Sequence, residues 1–252
     1  MTDKAAIYPD LRGKTVYVTG GASGIGAAIV RAFDRQGARV GLVDIDAAAA
    51  KALLRNLGGA HVFVPCDLRD IEALKSAFCA LRSELGPAQV LVNNAARDDR
   101  HDWREVTADY WDERMATNLR HHFFAIQAVA PDMIAAGGGS IVNMGSTSWW
   151  MAQGNMPGYT TAKAAIHGLT RTMARDLGPH RIRVNCVVPG WIMTERQKDL
   201  WVTDEALDAH LERQCLPDPI PPEALSPMVL FLASDEARMI TASNFFVDAG
   251  CT

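Results

Sequence analysis

The sequence predicts an α/β chain folded as one domain, a doubly wound sheet of about seven parallel strands with helices on both faces. Three observations carry that expectation. Short apolar runs rich in β-branched residues alternate with longer helical patterns almost to the end of the chain. The runs are continuously apolar, as strands buried on both faces require. A glycine-rich stretch, Thr19-Gly20-Gly21-Ala22-Ser23-Gly24-Ile25-Gly26, falls between the first strand and the first helix. The 252 residues suffice for one large core, and no repeat, low-complexity tract or linker divides 1–252.

The elements follow in order. Residues 15–19 form the first strand, and the helix after the glycine loop runs to about Gln36, where Gly37 stops it. Residues 39–43 form the second strand, which ends at Asp44 and leads into an alanine-rich helix. The third strand, 61–66, ends at Asp67, and a helix from about Ile71 to Leu85 is closed by Gly86-Pro87. The fourth, 89–92, ends at Asn93-Asn94-Ala95-Ala96. One long helix containing Asn118 runs to Ala136 and is ended by Gly137-Gly138-Gly139. The fifth strand spans 140–144, and the helix holding Tyr159 and Lys163 ends near Gly178-Pro179. The sixth, 182–188, ends at Pro189-Gly190, and 245–247 is a seventh. Residues 191–222 break the rhythm, with Trp191, Met193, Trp201 and Leu216 among charges, then Pro217, Pro219, Pro221 and Pro222. An excursion of that length reads as a substrate lid, with a subunit contact or a plain excursion as the alternative.

Composition excludes several classes. Apolar residues make up 48% and charged residues 21%. The net charge of −4, from 25 basic and 29 acidic residues, gives no reason to expect nucleic acid or an anionic membrane as partner. No apolar run reaches the roughly 18 residues of a membrane span, and the polar start lacks a signal-peptide pattern. Cys66, Cys79, Cys186, Cys215 and Cys251 show neither CxxC nor zinc spacing, so free thiols and a cytoplasmic location are expected. His101, His121 and His122 lack a matching carboxylate cluster, and no metal site is expected.

Two constellations carry chemistry. Gly20, Gly24 and Gly26 let the backbone approach a phosphate, and the helix that follows offers free N–H groups and a positive dipole. Asp44, about twenty residues on, can accept hydrogen bonds from ribose hydroxyls and repel a 2′-phosphate. Ile45 follows it and the loop carries no arginine or lysine, so NAD is expected over NADP. A role for Asp44 as a helix N-cap is compatible. Tyr159 and Lys163, four residues apart, share a helix face thirteen residues after Ser146. An ammonium beside a phenol lowers the phenol pKa from about 10 toward the working range. Ser146, at a strand exit, can hold a substrate oxygen against that phenol. With the nucleotide loop, this points to hydride transfer.

On these residues the chain resembles the short-chain dehydrogenase/reductase family. The resemblance runs in order through the Thr19 to Gly26 loop, Asp67, Asn93-Asn94-Ala95, Asn118, Ser146, Tyr159-x-x-x-Lys163 and Pro189-Gly190. It implies a Rossmann-type fold and a catalytic set of Asn118, Ser146, Tyr159 and Lys163. Tyr159 would act as base, Ser146 would bond the same substrate oxygen, and Lys163 would tune Tyr159 and bond the nicotinamide ribose. Asn118 would distort its helix and hold a water that links Lys163 to solvent. The implied cofactor shell is Gly20, Ser23, Gly24, Ile25, Gly26, Asp44, Ile45, Asp67, Leu68, Asn94, Ala95, Tyr159, Lys163, Pro189, Gly190, Ile192 and Thr194. Asp67 and Leu68 would flank the adenine. Ala96 departs from the usual glycine, and Val247-Asp248-Ala249-Gly250 from the commoner Val-Asp-Gly-Gly. The resemblance also implies a homotetramer through the helix after Tyr110 and the Tyr159 helix, whose apolar faces include Phe123, Phe124, Ile126, Ile166 and Leu169.

A finer resemblance, to bacterial sugar 1-dehydrogenases of this family, lies in 96–101, 110–114, 118–121, 186–190 and Glu195-Arg196-Gln197. It implies NAD-dependent oxidation of an aldopentose, L-arabinose or D-xylose, or of a related aldose such as D-fucose or galactose, to the lactone. Substrate candidates are Arg97, Ser146, Ser148, Asn155, Tyr159 and Trp191, although Arg97-Asp98-Asp99-Arg100 equally suits a solvated charge cluster. A carbonyl or 3-oxoacyl reductase stays open, since Trp149, Trp150 and Met151 can wall an apolar pocket. A non-catalytic NAD-binding protein is the third reading.

Overall fold

The computed structural model describes residues 6–252; residues 1–5, part of the expected single domain, lie outside the described residues. The first half of the chain forms β1 (Thr15–Thr19), α1 (Gly24–Arg35), β2 (Arg39–Asp44), α2 (Ala47–Leu54), β3 (Val62–Pro65), α3 (Ile71–Leu85), β4 (Val90–Asn93) and α4 (Ala108–Met115). A π-helical segment, Ala116–Arg120, then leads into α5 (His121–Ala135), β5 (Gly139–Met144), α6 (Pro157–Leu177) and β6 (Ile182–Pro189). The last elements are α7 (Glu195–Leu200), α8 (Asp204–Leu211), α9 (Ser226–Ala233) and β7 (Asn244–Val247). All seven strands are parallel, in the order β3-β2-β1-β4-β5-β6-β7.

β1 is buried along its whole length and divides its side chains between two cores. Val16 and Val18 join Phe33 of α1, Leu53 of α2 and Val229 of α9 on one face. Tyr17 joins Phe78 of α3, Ile126 of α5 and Leu177 of α6 on the other. This two-sided burial is why the strands read as continuous apolar runs. Asp46, Asp70 and Thr107 cap α2, α3 and α4 with their side chains. Strand order reverses between β1 and β4, so the loops leaving their C-terminal ends diverge and open a crevice there.

Three expectations are corrected. The long helix through Asn118 is two α-helices joined by the π-helical segment. Asn118 Nδ2 donates to the Arg114 carbonyl at 3.0 Å, and its Oδ1 accepts from Arg97 N at 2.7 Å. A side chain that competes for a carbonyl four residues back opens the helical ladder. Ile126 and Ile166 are fully buried within the chain, which leaves Phe123, Phe124 and Leu169 for any interface between subunits. Asp44 does not cap α2, because Asp46 does.

The 191–222 excursion is pinned at its base by a parallel bridge between Ile192 and Ile220. It carries α7 and α8, neither of which buries a residue. No helix among the described residues is long and apolar enough to cross a membrane.

Phe33 is fully buried where α1 crosses the sheet. Phe33→Ala should lower the unfolding free energy by about 3–5 kcal/mol. Urea denaturation followed by circular dichroism measures this, and a loss near zero would show that the core collapses onto the site.

Candidate active site

The loop after β1 and the loop after β4 meet closely enough that only glycine fits between them. A Cβ on Gly26 would lie 1.9 Å from the Gly20 carbonyl oxygen, and one on Gly20 would lie 2.7 Å from Ala95 Cα. Gly20 and Gly24 also take left-handed backbone, at φ 63° and 51°. Asn94 Nδ2 donates to the Thr19 and Gly20 carbonyls at 3.1 and 2.8 Å and ties the two loops together. The first-turn N–H groups of a helix have no intrahelical partner. Ser23 precedes that turn in extended backbone and makes no side-chain cap bond. Ser23, Gly24, Ile25 and Gly26 all line one cleft of about 1720 Å³, which continues to Tyr159 and the 191–222 segment. This cradle fits the diphosphate of a dinucleotide.

At the far end of β2, Asp44 Oδ2 accepts from Ala22 N at 2.9 Å and Oδ1 from Asp46 N at 3.0 Å. Its carboxylate is thereby fixed at the cleft wall, beside exposed Ile45. Asp67 is engaged by Arg69, which also reaches Glu113 at 3.0 Å, and Leu68 is buried beside it. Arg31 and Arg69 line this end of the cleft as well, although neither lies in the glycine loop. Ala95, Pro189, Gly190, Ile192 and Thr194 line the middle.

Ser146, Tyr159 and Lys163 converge on the cleft from the β5 exit and α6. Lys163 is 2% exposed, and its Nζ donates to the Met144 carbonyl at 2.8 Å and stands 5.7 Å from the Tyr159 ring centroid. Burial pushes its pKa down to about 8, against the opposing charges of Cys186 and Asp98. Burial also pushes the Tyr159 phenol above its ordinary value. Asp98 adds to that rise, while Ser146 and then Arg100 pull it back. The expected lowering of the phenol by Lys163 is not found: burial raises it, and the ammonium is drawn to the Met144 carbonyl. Ser146 Oγ donates to Ser148 Oγ at 3.0 Å and accepts from Ser148 N at 3.1 Å. Beneath this site His121 Nε2 lies 3.1 Å from the Ala95 carbonyl, and burial pushes its pKa down to about 4.

Not every candidate reaches the cleft. Asn118 is fully buried behind it, both ends of its amide engaged, and acts on the cleft through the backbone of Arg97. Asn155 is exposed in left-handed backbone (φ 62°) and does not line the cleft; its carbonyl accepts from His101 N at 2.8 Å. Arg97 lines the cleft but is about half exposed and paired with Asp99 at 3.3 Å. Trp149 donates to His167 at 3.0 Å and packs on Trp150, which packs on Phe246. That leaves only Met151 of the expected apolar wall on the main cleft.

Several cleft residues were not anticipated as a group. Asp98, Arg100, Gln197, Trp201 and His210 line the cleft with Trp191. Trp191 packs on His210 with centroids 5.1 Å apart, and Arg100 lies 4.9 Å over Trp201. Arg100 Nε, Trp201 Nε1 and His210 Nε2 are buried polar atoms without a partner among the described residues. No spacing in the sequence joins a loop near residue 98 to helices near 200; only the return of the excursion over the cleft does. Among the described residues no group of three or more His, Cys, Asp or Glu is arranged to hold a metal ion.

Fold and site together define a dinucleotide-dependent oxidoreductase architecture. A family described as enoyl-(acyl carrier protein) reductase matches residues 20–252. The chain belongs to the short-chain dehydrogenase/reductase family. It is 49% identical, over 99% of both chains, to a probable galactose dehydrogenase of Rhizobium meliloti. It is 48% identical to a D-xylose 1-dehydrogenase of Caulobacter vibrioides, over 98% of both. A crystal structure of a putative short-chain alcohol dehydrogenase from Sinorhizobium meliloti superposes with a TM-score of 0.91 at 31% identity, covering 96% of this chain and 97% of that one.

Lys163 is held near 8 in the folded chain against an ordinary 10.5. Below pH 8 the folded chain bears the cost of a buried charge. As pH rises from 8 to 10.5 the unfolded chain binds more protons, so this group's contribution to stability rises. Lys163→Met removes that rise. Relative to wild type, the variant's unfolding free energy should be higher near neutral pH than at pH 10.5 by about 3 kcal/mol. Urea titrations across this range measure it, and parallel pH curves for the two proteins would contradict the depressed lysine.

Proposed function

We propose that the protein oxidises an aldose, an aldopentose such as D-xylose or L-arabinose foremost, at the anomeric carbon to the lactone, with NAD as cofactor. The observation that carries this reading is full-length similarity near one half to two proteins named for dehydrogenation of a sugar. The cleft supports it: Arg97, Asp98, Arg100, Ser148 and Gln197 offer polar contacts to a polyol, and Trp191 and Trp201 offer aromatic walls.

The glycine loop would hold the diphosphate of the dinucleotide, Asp44 its adenosine ribose, and Lys163 with Tyr159 its second ribose. When bound, it supplies the hydride acceptor. The fixed Asp44 carboxylate accepts from the 2′-hydroxyl and repels a 2′-phosphate, which favours NAD. Tyr159 Oη takes the proton of the anomeric hydroxyl, and Ser146 holds that oxygen against the phenol. Lys163 stabilises the phenolate once its ammonium turns from the Met144 carbonyl. Asn118 keeps the Arg97 loop in place. The pinned, surface-lying 191–222 segment acts as a lid over the sugar. Phe123, Phe124 and Leu169 suit assembly as a homotetramer, and the free cysteines suit the cytoplasm.

A reductase of acyl chains, the activity in the family description, fits the cleft less well. Its walls carry Asp98, Arg100, Arg196 and Arg213, and Trp149 and Trp150 pack elsewhere.

Purified protein should form NADH, read at 340 nm, with D-xylose, L-arabinose or galactose, and turn over NADP at least tenfold less efficiently. Tyr159→Phe should cut kcat by about 10²–10⁴ while NAD binding stays within twofold. Silence on every aldose with reduction of acyl or simple carbonyl compounds would replace this reading by the reductase. A clear preference for NADP would remove the role given to Asp44.

A further inference from the structure

Asp98 stands in the cleft with Ser146 and Tyr159, its side chain 19% exposed. Its Oδ2 accepts from Gln197 Nε2 at 2.7 Å. The other end of that amide accepts from Trp191 Nε1 at 2.9 Å, so the Gln197 side chain has one orientation that satisfies both partners. The nearest cation to Oδ1, Arg196, is 3.6 Å away, beyond a hydrogen bond. Arg196 gives its bond to Asp99 at 2.7 Å, and Asp99 is also paired with Arg97 and Arg114. The two acids are therefore used differently. Asp99 is a structural ion-pair hub. Asp98 makes one hydrogen bond among the described residues, where an ionised carboxylate offers about four acceptor positions.

We propose that Asp98, positioned by Gln197 of α7, is the carboxylate that binds ring hydroxyls of the sugar and sets the requirement for a polyhydroxylated substrate. This rests on the aldose reading above. Two neighbouring hydroxyls donate to one carboxylate in a fork, and a substrate without them leaves a partly buried carboxylate with one hydrogen bond and the 3.6 Å pair with Arg196. The charged and titratable groups around Asp98 are Arg196 on α7, which Asp98 shares with its neighbour Asp99, Arg97 and Arg100 on its own loop, and Tyr159 and Lys163 on α6. Its charge opposes ionisation of Tyr159. A group that works against the base, with one hydrogen bond and one long ion pair, is accounted for by what enters the cleft. The same bond couples sugar to lid, since Gln197 and Trp191 both belong to the 191–222 excursion.

The test compares wild type, Asp98→Asn, Asp98→Glu and Gln197→Ala on the preferred aldose and on 2-hydroxytetrahydropyran, a cyclic hemiacetal with the anomeric hydroxyl alone. For Asp98→Asn the aldose KM should rise about 10- to 100-fold with kcat within about threefold, and turnover of the hydroxytetrahydropyran should hold or improve. The acidic limb of kcat/KM should move to lower pH, because a charge that raises the Tyr159 pKa is gone. Asp98→Glu keeps the charge, so its limb should stay while its aldose KM rises. Gln197→Ala should raise the aldose KM alone. Equal losses on both substrates, or an unchanged aldose KM in the folded Asp98→Asn and Asp98→Glu proteins, would overturn the assignment. A wild type that oxidises no aldose would overturn it together with the aldose reading, and is told apart because the unmodified protein is itself inactive.

Discussion

The close approach of the β1 and β4 loops is the constraint on which the rest depends. Gly26 and Gly20 carry no Cβ because one would collide with the Gly20 carbonyl or with Ala95. The Asn94 amide then bridges the two loops through the Thr19 and Gly20 carbonyls. This contact sits where strand order reverses, so it fixes both the start of α1 and the direction in which the β4 loop leaves the sheet. The first sets the phosphate cradle. The second carries Arg97 and Asp98 toward the chemistry.

Electrostatics in the site is governed by burial. An ammonium taken out of water loses part of its preference for charge, and a phenol taken out of water resists ionising. Lys163 and Tyr159 therefore move apart in pKa, from nearly equal ordinary values, the lysine down to about 8 and the phenol up. Besides burial, Asp98, the Ser146 hydroxyl and Arg100 act on the phenol, the first raising its pKa and the other two lowering it. His121, held neutral beneath them, adds none near neutral pH.

The segment over the cleft is held by few bonds. Its ends are bridged at Ile192 and Ile220, and its helices bury no residue of their own. Its ties to the loop after β4 are Gln197 to Asp98, Arg196 to Asp99 and Asp98, and Arg100 over the Trp201 ring, and Cys215 and Leu216 donate to the Ala249 carbonyl. Segments with little apolar burial open at low free-energy cost.

The sequence by itself determined the parallel sheet, the order of its elements, the glycine loop and the helix face shared by Tyr159 and Lys163. Each is a local matter of periodicity, capping or φ preference. Strand limits shifted by a residue or so, as with β4 at Val90–Asn93. A distortion at Asn118 was implied by the family resemblance, but its π-helical form and the bond from Arg97, 21 residues away, were not. Tertiary structure alone decided that Asn155 does not line the cleft, that Trp149 and Trp150 pack outside it, and that burial raises the Tyr159 phenol. It alone brought Asp98 to Gln197, 99 residues distant. Desolvation and long-range pairing are properties of the folded surroundings, and no short window of sequence contains them.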